Sequence, residues 1–223
     1  MEPGPRGGGG RPVYVRPLPR LHAVTDAAVL ALEDFPARAA AIAAAGPAVA
    51  LHARNRAASG AELTALAQRL VALARPPEAA VFVNARPDIA AATGAQGLQL
   101  GRDDLAPRDV RRAFPAWQGW IGASVHSAAE AGAARAEGAD FLVAGPVYPT
   151  ASHPDHPALG LELLREVARE GLPVVAIGGV TPERSAEVRD AGAWGAAAIS
   201  ALWRAPDPAA AAMAFLLAWS DPS

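Results

Sequence analysis

Eight short apolar runs alternating with eight alanine-rich segments predict a single-domain α/β protein, a (β/α)8 or TIM barrel. Three observations carry this. The runs are apolar at consecutive positions, as strands buried on both faces require. Gly94-Ala95, Gly138-Ala139 and Gly192-Ala193 fall just ahead of strands, where a helix ending in a left-handed residue would stand. Ser59 precedes one helical segment, and Thr181-Pro182-Glu183 sets a hydroxyl before a proline at the first helical position of another. A doubly wound open sheet is the rival arrangement.

Strands are expected over 21–25, 48–53, 80–84, 97–100, 119–125, 141–145, 173–177 and 196–199. Helices are expected over 35–45, 61–74, 86–92, 107–113, 128–137, 161–170, 182–190 and 208–219. Residues 1–19, rich in Gly, Pro and Arg, read as a flexible leader, leaving 20–223 as the catalytic barrel. That leader lacks the apolar centre of a secretory signal, so a cytoplasmic location is expected. No apolar run is long enough to cross a membrane. A net charge of -2 gives no reason to expect nucleic acid or a membrane surface as partner; a homo-oligomer stays open.

Composition excludes several chemistries. The 223 residues contain no Cys, so thiol nucleophiles and Cys-based metal sites are ruled out. All 20 basic side chains are Arg, so a lysine Schiff base and a P-loop are ruled out too. Arg stays protonated at neutral pH and cannot be a general base. Proton transfer falls to His, Asp, Glu, Tyr, a substrate group or water.

In a barrel, chemistry belongs at the C-terminal ends of the strands. Ser124-Val125-His126-Ser127 closes the fifth strand, which makes His126 the leading acid–base candidate. Ile177-Gly178-Gly179 and Ala198-Ile199-Ser200 close the seventh and eighth, the loops that often hold phosphate in this fold. Alternation puts His52 and Arg54 on one face of the second strand, toward the barrel mouth. Asn84 ends the third strand with an amide for a heterocycle. Asp103 and Asp104 follow the fourth and could hold Mg²⁺ or simply start a helix. The sixth strand leads into a long proline-stiffened loop containing Thr150 and Ser152, a possible anion clamp. Pro154 separates His153 from His156, and no carboxylate geometry supports a metal there.

Taken in order, Leu21-His22-Ala23-Val24-Thr25-Asp26, Val83-Asn84-Ala85-Arg86-Pro87-Asp88, Ser124-Val125-His126-Ser127, Gly145-Pro146-Val147-Tyr148-Pro149-Thr150, Ala176-Ile177-Gly178-Gly179 and Ala198-Ile199-Ser200-Ala201 resemble the thiamine phosphate synthase superfamily, which includes the thiazole tautomerases of the TenI group. The resemblance runs from about Leu21 to Leu202 and implies a barrel. Departures bear on the subgroup. The synthase pattern Gln-x-Arg-x-Lys falls on Ala50, His52 and Arg54. The acid that follows its strand-three Asn is Ala85 here, and its Thr-x-Thr-Lys loop reads Thr150, Ala151, Ser152, His153. A Mg²⁺ ligand and a diphosphate-binding cation are thereby lost. The resemblance therefore implies a thiazole tautomerase, an isomerase that aromatises a carboxythiazole phosphate with no cofactor. His126 would move the proton, with the substrate held by Arg54, Asn84, Ser124, Thr150, Ser152, Gly178, Gly179, Ile199 and Ser200. Two alternatives stand beside it: a thiamine phosphate synthase using Mg²⁺ at Asp104, and a non-catalytic phosphate-binding barrel.

Overall fold

Strand β8 pairs with β1, and that pairing decides the architecture. The computed structural model describes residues 17–76, 78–150 and 157–220. Its strands are β1 Leu21–Val24, β2 Val49–Ala53, β3 Ala80–Asn84, β4 Gly97–Leu100, β5 Trp120–Val125, β6 Phe141–Ala144, β7 Val174–Ile177 and β8 Gly195–Ala198. All neighbours are parallel and the sheet closes in sequence order, which excludes the open doubly wound sheet. The helices are α1 Ala27–Leu30, α2 Phe35–Ala43, α3 Gly60–Ala74, α4 Pro87–Thr93, α5 Pro107–Ala113, α6 Ala128–Ala136, α7 Gly160–Ala168, α8 Ser185–Asp190, α9 Ser200–Trp203 and α10 Pro208–Leu217. Two one-turn helices, α1 and α9, were not expected; a single turn is too short to show a 3.6-residue period.

Local chemistry fixes the helix starts. Ser59 accepts from the Glu62 amide while Glu62 reaches back to the Ser59 amide, a complete capping box on α3. Asp26, Ser127 and Asp207 cap α1, α6 and α10 through their side chains. Thr181 departs from expectation. Its side chain makes no capping bond, and the segment opens as a 3₁₀ turn, Pro182–Arg184, before α8.

Alternation divides the core in two. Outward-facing residues such as Leu51, Val83, Leu98, Ile121 and Leu142 pack beneath the helices. Inside the barrel lie Val24, Ala50, Phe82, Phe141, Val143, Val175 and Ala197, with His22 and His52 among them. The two phenyl rings need space that glycine supplies: a Cβ on Gly97 would lie 2.5 Å from the Phe82 ring, and one on Gly122 would strike Phe141. Leu18, 2% exposed, joins this inner cluster, and the Trp194 indole donates to its carbonyl at 3.0 Å. The packed chain thus begins ahead of residue 20. Residues 1–16 of the expected leader lie outside the described residues.

Candidate active site

The strand ends surround a cavity of about 960 Å³ bordered by His22, His52, Arg54, Asn84, Gln99, Asp104, Ser124, His126, Gly178 and Ile199. Sequence reasoning had named most of these, and the fold brings them to one place because period-two alternation points each into the barrel or its mouth. Gly179 and Ser200 follow directly on Gly178 and Ile199. Among the described residues neither of their amides has a carbonyl partner, which leaves two N–H groups for an acceptor such as phosphate. Thr150 does not border the cavity. Ser152 lies outside the described residues, as do His153 and His156.

Gly178 and Gly179 hold left-handed φ values of 94° and 63°. A Cβ on Gly178 would lie 2.6 Å from the Pro146 Cα, and one on Gly179 would lie 2.7 Å from the Pro149 carbonyl oxygen. Glycine is needed at both. The facing segment is tied down: the Tyr148 amide donates to Gly178, the Tyr148 hydroxyl donates to Glu187 at 2.9 Å, and the Arg184 guanidinium stacks on the Tyr148 ring while donating to Gly179 at 2.7 Å. Burial, then the neighbouring Glu187 carboxylate, pushes the Tyr148 phenol up to about 12, so it stays a donor.

Charge at the mouth comes from Arg54, Arg56, Arg86 and Arg102, with Asp103 and Asp104 bordering the same cavity. Arg86 is paired with Asp88 at 2.5 Å and Arg102 with Glu130 at 2.6 Å. Arg54 forms no salt bridge among the described residues, although Asp26 acts on it at longer range. Burial lowers its pKa, yet it remains a cation at neutral pH. Asp104 accepts from the Gly101 amide at 2.6 Å.

His126 stands at the rim, with its side chain 40% exposed. Its Nδ1 is 3.2 Å from Glu130 and 3.4 Å from Arg102, and its backbone amide donates to Glu130 at 2.7 Å. Two polar residues of the barrel floor had no role in the sequence reading. Gln99, 5% exposed, donates to Ser124 at 3.1 Å, and its Oε1 has no partner among the described residues. His22 is fully buried and bonded to His52 at 2.8 Å. Nothing short-range in the sequence marks either, since their neighbours come from other strands.

The chain is 42% identical over 153 residues to a thiamine-phosphate synthase of Thermus thermophilus, covering 67% of this chain and 72% of that one. It is 49% identical over 140 residues to the thiamine biosynthesis bifunctional protein ThiM/ThiE of Symbiobacterium thermophilum, covering 62% of this chain but only 29% of that longer protein. Among solved structures, a thiamine phosphate pyrophosphorylase from Pyrococcus furiosus superposes with a TM-score of 0.76 at 35% identity, over 89% of this chain and 94% of that one. A 3-hexulose-6-phosphate synthase, at 23% identity and a TM-score of 0.67, shares the fold.

These relatives overturn the expectation of a thiazole tautomerase, and with it the isomerase class: several at 40–44% identity carry the thiamine-phosphate synthase name. The error has a physical source. An acid at Ala85 and a cation at His153 are local losses, whereas the folded mouth pools arginines from several strand ends and keeps two aspartates. The family model for thiamine monophosphate synthase (TMP-TENI) matches residues 21–202, and the chain belongs to that family.

Proposed function

We propose that this protein is a thiamine-phosphate synthase, a transferase joining an aminopyrimidine diphosphate to a thiazole phosphate. One observation carries the reading: Arg54, without a salt bridge among the described residues, and the two aspartates Asp103 and Asp104 border the same cavity as Asn84, Gly178 and Ile199. This chemistry makes one bond and breaks one. The thiazole ring nitrogen supplies its lone pair to the methylene carbon of the pyrimidine, and the carbon–oxygen bond to diphosphate breaks. No proton has to leave the nucleophile, so His126 is not required as a base. What the reaction needs is stabilisation of the departing negative charge.

Arg54 supplies part of that stabilisation from a half-buried position, where a charge is screened less than at the surface. The Gly179 and Ser200 amides hold the phosphate of the thiazole partner. Two carboxylates beside a diphosphate suit Mg²⁺, which binds one or two carboxylates together with substrate phosphates. Asp104 and Asp103 would hold it, and bound there it neutralises charge on the leaving group.

Incubating the protein with both substrates and Mg²⁺ and separating the products by chromatography tests the reading. Thiamine phosphate and inorganic diphosphate formed in equal amounts support it. Binding of both substrates with no product would identify a phosphate-binding barrel instead.

A further inference from the structure

Three hydrogen-bond contacts run in series beneath the cavity. The Pro19 carbonyl lies 3.1 Å from His22 Nε2, His22 Nδ1 lies 2.8 Å from His52 Nε2, and His52 Nδ1 lies 3.1 Å from the Asn84 side-chain oxygen. The pair is sealed: His22 is 0% and His52 2% exposed, with Phe82 and Phe141 rings against them. The line starts and ends on an oxygen that can only accept, so each of its three contacts needs one proton. Two neutral imidazoles carry only two.

The missing proton has a defined place. Pro19 can only accept, so His22 holds its proton on Nε2. His22 Nδ1 then accepts from His52 Nε2, and His52 Nδ1 is left bare. A neutral pair therefore requires Asn84 to turn its NH₂ to His52 and its carbonyl oxygen to the cavity. One added proton lets His52 donate to the Asn84 oxygen and turns the NH₂ to the cavity. Both amide orientations fill the same space. A phosphoryl oxygen beside Asn84 is repelled by the first arrangement and bonded by the second.

We propose that binding of a phosphoryl group beside Asn84 is coupled to uptake of one proton by the buried His22–His52 pair, in which His52 is the positioning residue for Asn84 and His22 makes its proton conditional on the anion. The proposal rests on the phosphate-binding reading of this cavity. In the free protein the pair is neutral: burial, then the neighbouring His52, holds His22 well below its ordinary range, and burial, with Arg54 adding to it, brings His52 down to about 4. Arg54, on the same strand, is the charged group acting on His52. Val24 from β1, Phe82 and Asn84 from β3, Gln99 from β4, Ser124 from β5 and Phe141 from β6 bring no charge toward it. An anion bound against Arg54 removes that opposing influence at the moment the proton is needed.

The test is calorimetry of inorganic diphosphate with Mg²⁺ at about pH 6, repeated in buffers of different ionisation enthalpy. Uptake close to one proton per site, beyond that of diphosphate itself, is expected. In His22→Phe, His52 is free to carry its proton on Nδ1 and donate to Asn84 while neutral, so binding persists and uptake disappears. Long-range ¹H–¹⁵N spectra of the unsubstituted protein give an independent reading. The ring nitrogens of both histidines should report neutral Nε2–H forms when free and one imidazolium when diphosphate is added. Binding with unchanged ring nitrogens, or uptake in His22→Phe equal to that of the parent, overturns the proposal while leaving the phosphate site intact. No binding at all overturns both.

Discussion

Gly178→Ala tests whether the phosphate loop is as tightly defined as its geometry implies. The backbone there sits at a φ of 94°, and the new Cβ would meet the Pro146 Cα and Cβ at 2.6 Å and the Val147 nitrogen at 3.1 Å. These are backbone and ring atoms with no flexible tip to swing aside. Movement would pull on the bonds from the Val147 amide to Ile177 and from the Tyr148 amide to Gly178, each 2.9 Å. Left-handed strain costs about 1–2 kcal/mol, and overpacking against a rigid neighbour about 1–3 kcal/mol. The stiffer unfolded chain returns about 0.4–1 kcal/mol. The net loss is about 1–5 kcal/mol, a large part of the roughly 5–15 kcal/mol that holds an ordinary domain.

Urea unfolding of parent and variant measures this directly, as a lower midpoint with an unchanged slope. Because Gly179 carries one of the two amides assigned to phosphate, KM for the thiazole phosphate should rise along with the loss of stability, by about tenfold for each 1.4 kcal/mol of lost binding. A stability loss below about 0.5 kcal/mol, the level of an ordinary surface change, would refute the argument, since the loop would then have relaxed around a side chain that the geometry excludes.

Arg54→Ala should weaken the aminopyrimidine diphosphate in steady-state kinetics by roughly 10- to 150-fold, the equivalent of one charged hydrogen bond of about 1.5–3 kcal/mol. Arg54→Lys should recover part of that. His126→Ala should lower synthase turnover by less than about tenfold, well short of the ~10²–10⁴ that a general acid or base contributes; a loss inside that range would return the histidine to the chemistry. Acid should destabilise the fold through His52. The unfolded imidazole takes its proton near pH 6.5 and the folded one only at about 4, so stability is full above 6.5 and falls as the pH drops between these values. The shift corresponds to about 3 kcal/mol at ~1.4 kcal/mol per pH unit. Urea midpoints of the parent should track this fall, while those of His52→Leu should show less of it.

The barrel was legible because parallel strands buried on both faces leave an unbroken apolar signature, as at Val81–Val83 or Val174–Ala176. Strand-end residues were legible for a related reason. Once β2 is placed, alternation alone puts His52 and Arg54 inside, and the same rule finds Asn84, Ser124 and Ile199. The rule is silent on partnership. His22 lies 30 residues from His52 and meets it only because β1 and β2 pair in the register that sets Val24 beside His52. Gln99 carries an oxygen without a partner among the described residues because Gly122 and Phe141 close around it. Closure of the sheet creates both features, and no window of sequence contains them.

The same limit explains why substitutions misled the functional reading. A cation lost at one position is a local fact, but a departing diphosphate responds to the sum of charge around it. In that sum the arginines are unequal. Arg86 and Arg102 are each bound to a carboxylate, so much of their charge is already answered, whereas Arg54 has no such partner among the described residues. Arg54 stands where the family carries lysine, two residues beyond the position where it carries arginine and this chain carries His52. A neutral histidine there removes a permanent charge, yet its bond to His22 makes it a group that can become a cation when an anion arrives. The two substitutions then belong together: a permanent charge is kept at the mouth, and a conditional one is placed on the floor, where burial would penalise a permanent one.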